Sequence, residues 1–205
     1  MSLVLYTNPM SRGRIVRWML EEVAAPYEVQ SLPFGEAMKS ASYLAINPMG
    51  KVPALVHNGT VITECAAICA YLAETFPQAG LHPQADAERG AYYRWMFFAA
   101  GPLEAAVSNR SLGFDVTPDK QRTVGYGSYE AVMDTLEMAV STTPFIAGER
   151  FTAADVYIGS HIMWGLQFGT VEKRPAFESY VAQLTQRPAH LRATELDDAL
   201  LATRG

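Results

Sequence analysis

The spacing of apolar residues changes twice along this chain, and the changes mark out its parts. Leu3-Val4-Leu5-Tyr6 is a short apolar run suited to a buried strand, broken by the turn Thr7-Asn8-Pro9-Met10-Ser11. From Arg14 the period becomes helical: Ile15, Met19 and Val23 recur every fourth residue with Val16 and Leu20 beside them, Arg17, Glu21 and Glu22 face elsewhere, and Arg12, Arg14 and Arg17 are read as a solvated face. Pro26 ends the helix and Tyr27-Glu28-Val29-Gln30 alternates as a second strand, which predicts a parallel βαβ unit. Ala54-Leu55-Val56-His57 and Val61-Ile62 form two more strands across Asn58-Gly59, residues that accept the positive φ of a type I′ hairpin turn. Thr63 or Glu64 then caps a helix through Ile68, Leu72 and Phe76, with Cys65 and Cys69 on or near its apolar face and Pro77 as its stop.

Beyond a proline-bounded linker the strand signals vanish. A long helix is predicted from about Ala85 through Tyr92, Trp95, Met96 and Phe97, kinked at Gly101-Pro102, and another from Pro118 to Val140. Thr152-Ala153-Ala154-Asp155 reads as a capping box with Asp in place of Glu, flanked by Phe151 and Val156 as a hydrophobic staple. The helix it opens is apolar enough (Val156, Ile158, Ile162, Met163, Trp164, Leu166) to be the core of a helical domain. A final helix runs through Phe177, Tyr180 and Leu184 to Arg187, ended by Pro188. The pattern therefore predicts an α/β domain (βαβ-ββα) over residues 1–77, a linker over 78–85 and an all-α domain over 86–205.

Composition narrows the chemistry. With 49% hydrophobic and 18% charged residues the chain is globular, and a formal net charge of −5 argues against broad nucleic-acid or anionic-membrane binding. No apolar run approaches the roughly 18 residues of a spanning helix. The start lacks the basic and apolar regions of a signal peptide, so the expected address is cytoplasmic. The two cysteines lie four apart without a Cys-x-x-Cys, and the four histidines have no ligand spacing; neither a disulfide framework nor a metal site is expected.

Asn47-Pro48-Met49-Gly50-Lys51-Val52-Pro53-Ala54-Leu55 stands apart from these elements. Pro48 and Pro53 fix φ and lack an N–H, so the segment is neither helix nor central strand. Val52-Pro53 is a candidate cis bond. In that arrangement the backbone N–H and C=O of Val52 would face outward, toward an extended peptide-like ligand. Alone, the segment is better read as a connecting loop with a proline at its end.

Taken in order, Asn47 to Leu55, Thr63-Glu64-Cys65-Ala66-Ala67-Ile68 and Phe151-Thr152-Ala153-Ala154-Asp155-Val156 resemble the cytosolic glutathione S-transferases, of the bacterial, serine-type kind, over essentially the whole chain. The resemblance implies a thioredoxin-like α/β domain followed by a helical bundle, with glutathione as co-substrate. Val52 would pair its backbone with the cysteinyl part beside a cis Pro53, Lys51 would approach the glycyl carboxylate, and Glu64 and Cys65 would hold the γ-glutamyl end. Cys65 departs from the family pattern, which usually has Ser. Ser11, five residues past Tyr6, resembles the serine-type donor to the glutathione thiolate, with Arg12 nearby; Tyr6 is the rival donor and Asn8 a third. The implied activity is conjugation of glutathione to small, largely apolar electrophiles, as in detoxification, by a homodimer. Tyr92, Met96 and Trp164 are expected toward the electrophile. Peroxide or disulfide reduction, and a non-catalytic binding or assembly module, are the alternatives.

Overall fold

The computed structural model describes residues 2–203, so the predicted outer limits Met1 and Gly205 lie outside the described residues. The chain divides into two compact units, one made of the stretch up to His82 together with that from Gln186, the other of Pro83–Thr185.

The first unit holds strands β1 (Leu3–Thr7), β2 (Glu28–Ser31), β3 (Ala54–His57) and β4 (Thr60–Thr63) in the order β2-β1-β3-β4. β1 pairs parallel with β2 and antiparallel with β3, and β3 pairs antiparallel with β4. Leu5 and Leu55 face each other across the central pair, both fully buried, so the apolar runs sit where the register needs them. Asn58 and Gly59 both have positive φ (49° and 84°), as expected of the hairpin turn.

Helix α1 (Gly13–Val23) crosses from β1 to β2 and packs on helix α3 (Cys65–Thr75). Between β2 and β3 lie a 3₁₀ turn, Glu36–Lys39, and a single helical turn, α2 (Ala41–Leu44), that the apolar spacing did not reveal. The second unit is helical among its described residues: α4 (Asp86–Phe98), α5 (Glu104–Ser111), α6 (Tyr129–Thr142), α7 (Ala153–Phe168) and α8 (Pro175–Thr185). The predicted kink is a π-helical stretch, Ala99–Leu103, around Pro102, whose ring removes one backbone donor.

Two expectations need correction. The helix predicted from Pro118 starts at Tyr129: Gly125 and Gly127 interrupt the preceding residues, and Ser128 caps α6 by accepting the Ala131 N–H at 3.1 Å. Pro188 does not end the last helix. It opens a further one, α9 (Pro188–Ala202), at the position where a missing N–H costs nothing. α9 packs along α1, so the described residues from Gln186 onward group with the first unit rather than with the helical domain predicted over 86–205. Arg17 is consequently buried, its Nε donating to Asp197 Oδ1 at 2.8 Å, and does not face solvent as its charge suggested.

The capping box forms as predicted and extends further. Asp155 Oδ2 accepts from the Thr152 N–H (2.7 Å) and hydroxyl (3.0 Å), and Oδ1 from the Ile146 N–H (2.8 Å) and the Tyr180 hydroxyl (2.6 Å). Burial pushes the Asp155 carboxyl up against these four donors, which favour its charged form.

Candidate functional site

The pairing register gathers the predicted site segments. Tyr6 lies opposite Ala54 across β1 and β3, and Ala54 opposite Thr63 across β3 and β4. Both pairs are antiparallel, so the loop after Thr7, the segment before Ala54 and the residues after Thr63 leave the sheet at one edge. α1 and α3 begin there, at Gly13 and Cys65, and each presents the partial positive charge of a helix N-terminus.

Ser11 sits half-buried in the turn between β1 and α1. Its hydroxyl donates to the Asn8 carbonyl at 2.6 Å and accepts the Gly13 N–H at 3.0 Å, while its own N–H also donates to the Asn8 carbonyl at 3.0 Å. Asn8 is buried, and its side chain bonds to backbone at both ends: Nδ2 donates to the Leu32 carbonyl (2.7 Å) and Oδ1 accepts the Met10 N–H (2.9 Å). Asn8 therefore shapes the turn that carries Ser11. Gly13 allows the turn to close, because a Cβ there would lie 1.8 Å from Thr7 Oγ1. Tyr6 is half-buried with its ring 5.8 Å from that of Tyr43, and its hydroxyl has no hydrogen-bond partner among the described residues.

The Val52-Pro53 bond is cis. Val52 is half-buried, and among the described residues neither its N–H nor its C=O has a hydrogen-bond partner. The residue before it is held firmly: the Lys51 carbonyl accepts from the Tyr43 hydroxyl at 2.6 Å and from Asn47 Nδ2 at 2.8 Å. Burial, with Tyr6 beside it, pushes the Tyr43 phenol up to about 12, so it stays a donor at neutral pH. Gly50 at φ +58° lies where a Cβ would meet the Met38 carbonyl at 2.6 Å, and Lys39 Nζ donates to the Met49 carbonyl at 3.0 Å. The Lys51 side chain is exposed.

Glu64, just before α3, has φ 68° and ψ 122°, a conformation that non-glycine residues rarely adopt and that is held by the surrounding structure. Its side chain is exposed and makes no capping bond. Cys65 is buried, its thiol directed to the Arg12 carbonyl at 3.6 Å, so it links the start of α3 to the Ser11 loop. Cys69 is buried one turn later, and burial, with Cys65 beside it, pushes its thiol well up and leaves it a packing residue. Tyr92 and Met96 are buried core residues and offer no surface to an electrophile, contrary to expectation; Trp164 is half-buried.

Sequence reasoning missed Tyr43, Asn47, Gly13 and the strain at Glu64. Asn47 was within reach, since an Asn before Pro-x-Gly is a common side-chain-to-backbone clamp. Tyr43 sits on a helix too short for periodicity to find.

A mixed four-stranded sheet with a cis-proline before its third strand, followed by a helical unit, is the architecture of the two-part thioredoxin-like proteins. Residues 1–74 match the profile described as glutathione S-transferase, N-terminal domain. Glutathione S-transferase 3 of Schizosaccharomyces pombe is 29% identical over 75% of this chain and 70% of its own. Glutathione S-transferase GstB of Escherichia coli K12 is 29% identical over 89% of this chain and 92% of its own. A glutathione transferase homologue from Sulfitobacter, solved with bound glutathione, is 27% identical, covers 95% of this chain and 97% of its own, and superposes with a TM-score of 0.77. The chain is thus similar to glutathione S-transferases along most of its length, and its first 74 residues match their N-terminal domain. Among the described residues no helix is long and apolar enough to cross a membrane.

Proposed function

We propose that this chain is a glutathione transferase that binds glutathione at the sheet edge described above, favours its thiolate and adds it to small, largely apolar electrophiles. One observation carries the reading: among the described residues the N–H and C=O of Val52 lack partners, while Tyr43 and Asn47 fix the residue before them. A half-buried backbone donor and acceptor left together in this way fit an extended peptide-like ligand, because unpaired polar groups are otherwise costly to shelter. The relatives named as glutathione S-transferases, and the Sulfitobacter homologue with its bound glutathione, support the same ligand.

In this reading Val52 pairs with the cysteinyl backbone beside Pro53. Lys51 answers the glycyl carboxylate, and Glu64 answers the γ-glutamyl ammonium. Cys65 already directs its thiol at the Arg12 carbonyl, so the γ-glutamyl carboxylate falls to the backbone N–H groups at the start of α3. Glutathione supplies a sulfur nucleophile: the thiolate bonds to the electrophilic carbon as the leaving group departs with its electron pair.

Ser11 is the proposed donor to that thiolate. Its hydroxyl can turn from the Asn8 carbonyl without orphaning it, since the Ser11 N–H stays bonded to the same oxygen. The Gly13 N–H on the hydroxyl oxygen makes it a better donor. Tyr6 is the second reading, favoured by the unpartnered hydroxyl. Turnover of an aryl chloride with glutathione decides between them: Ser11→Ala should lose most of the rate and Tyr6→Phe little, and the reverse pattern transfers the role to Tyr6.

Peroxide-dependent oxidation of glutathione without conjugation would instead indicate a peroxidase or disulfide reductase. Failure of the folded protein to retain glutathione would indicate a binding or assembly module. A homodimer in the cytoplasm belongs to the same proposal, and sedimentation at micromolar protein tests the assembly.

A further inference from the structure

Arg14 stands in the first turn of α1 and divides its guanidinium between two distant parts of the first unit. Nε donates to the Pro9 carbonyl at 2.6 Å, inside the turn that carries Ser11, and Nη2 donates to Asp198 Oδ1 at 2.6 Å, on α9. The two bonds leave the planar fork from different nitrogens, so the position of one end constrains the other.

By itself the outer pair would matter little. The Asp198 side chain is 60% exposed and the Arg14 side chain 24%, and a surface ion pair contributes little once solvent and side-chain entropy are counted. Here the carboxylate is not free to wander. Its neighbour Asp197 is buried against Arg17, with side chains 1% and 5% exposed, and Arg187 holds Glu22 of α1 through two bonds of 2.6 and 2.8 Å at the other end of α9. Trp18 adds a donor to the same Glu22 at 2.8 Å and stands edge-on to His190 at 4.8 Å. Asp198 is therefore presented to Arg14 from a helix anchored at both ends, and most of the ordering cost that weakens surface pairs has been met by neighbouring contacts.

We infer that Arg14 is a positioning residue, and that through it Asp198 of the C-terminal helix sets the geometry of the Ser11 turn. The inference rests on the proposed role of Ser11. Arg14 fixes the Pro9 carbonyl, and Pro9 lies between Asn8, whose carbonyl holds the Ser11 hydroxyl, and Ser11 itself. Losing that restraint lets the turn shift as a unit. A donor displaced by a fraction of an ångström still permits glutathione to bind through Val52 but stabilises its thiolate less.

The test uses the full chain with Arg14→Ala, Arg14→Lys, Asp198→Ala and Ser11→Ala. The thiolate of bound glutathione is titrated by its ultraviolet absorbance, and kcat and KM for glutathione are measured with an aryl chloride. Arg14→Ala should move the thiolate titration to higher pH and lower kcat by about tenfold, with KM for glutathione within about twofold of wild type. Asp198→Ala should move both in the same direction by about threefold, and it lies at an exposed position that folds regardless. Arg14→Lys should not restore either, because one ammonium cannot replace two divergent N–H groups. If Ser11→Ala shifts the titration and neither Arg14→Ala nor Asp198→Ala does, the positioning role is overturned and the Ser11 assignment stands. If Ser11→Ala leaves the titration unmoved, the Ser11 assignment fails and takes the positioning role with it.

Discussion

Arg17 and Asp197, separated by 180 positions in sequence, form an ion pair with both side chains buried, Nε to Oδ1 at 2.8 Å. The pair joins α1 to α9. Asp197 Oδ2, also buried, has no hydrogen-bond partner among the described residues, so the carboxylate depends on Arg17.

Removing one member should cost far more than removing both. Arg17→Ala or Asp197→Ala leaves a buried charge without its counterion and should destabilise the protein by about 3–5 kcal/mol. The double variant Arg17→Met/Asp197→Leu fills similar volume with apolar groups and should recover most of that loss. Urea midpoints of the three variants check the ordering; a double variant as unstable as the sum of the singles would mean the pair is not coupled as described.

The Lys51 carbonyl is a shared acceptor, and its two donors should show it. Tyr43→Phe and Asn47→Ala each remove one bond, and each should cost about 1 kcal/mol in stability. Because both hold the residue before Val52, either variant should raise KM for glutathione several-fold with a smaller change in kcat. A double-mutant cycle on that KM should show a coupling above about 0.5 kcal/mol.

Gly13 is a matter of space rather than of backbone freedom. The Cβ of Gly13→Ala would fall 1.8 Å from Thr7 Oγ1 and 3.1 Å from Ser11 Oγ. The expected cost is about 1–3 kcal/mol, the range for overpacking a close-packed site. Adding Thr7→Ala removes the shortest contact and should return most of the lost stability, read as a shift in thermal midpoint.

Glu88 gives the helical unit an acid-side weakness. Burial raises its carboxyl, but the Gln84 N–H (2.7 Å) and the Arg150 guanidinium (2.9 Å to each oxygen) outweigh it, and its pKa is lowered from the ordinary value. A lowered folded-state value means that the stabilisation is present above the unfolded-state pKa and is lost as pH falls through the folded-state one. Glu88→Gln should therefore be less stable than wild type at neutral pH, with the gap closing at acid pH. Chemical denaturation across that range measures it.

The parts of this fold that were legible in the sequence are those where burial is apolar and turns are stereotyped. Ile15, Met19 and Val23 announced α1, Asn58-Gly59 announced the hairpin, and Thr152 to Asp155 announced α7. α9 was missed because its buried face is Ala193 and Asp197, one small and one charged, which carries no hydrophobic period. That omission propagated. Without α9 there was nothing to cover Arg17, so it was read as part of a solvated face. Arg187-Pro188 held the missing signal, because a proline can open a helix as well as end one. At the site, Ser11, Val52 and Glu64 were found through their segments, whereas Tyr43 and Gly13 act through contacts formed only after β1 and β3 are paired.

The first unit is discontinuous in sequence, and this has a consequence for synthesis. Its sheet and α1 are complete early, yet the helix that neutralises Arg17 leaves the ribosome only after the whole of Pro83–Thr185. A nascent or truncated chain that ends before Asp197 therefore carries Arg17 without its counterion beside a finished sheet. Among partial products of this gene, those ending before Asp197 should be the ones that chaperones retain and proteases clear.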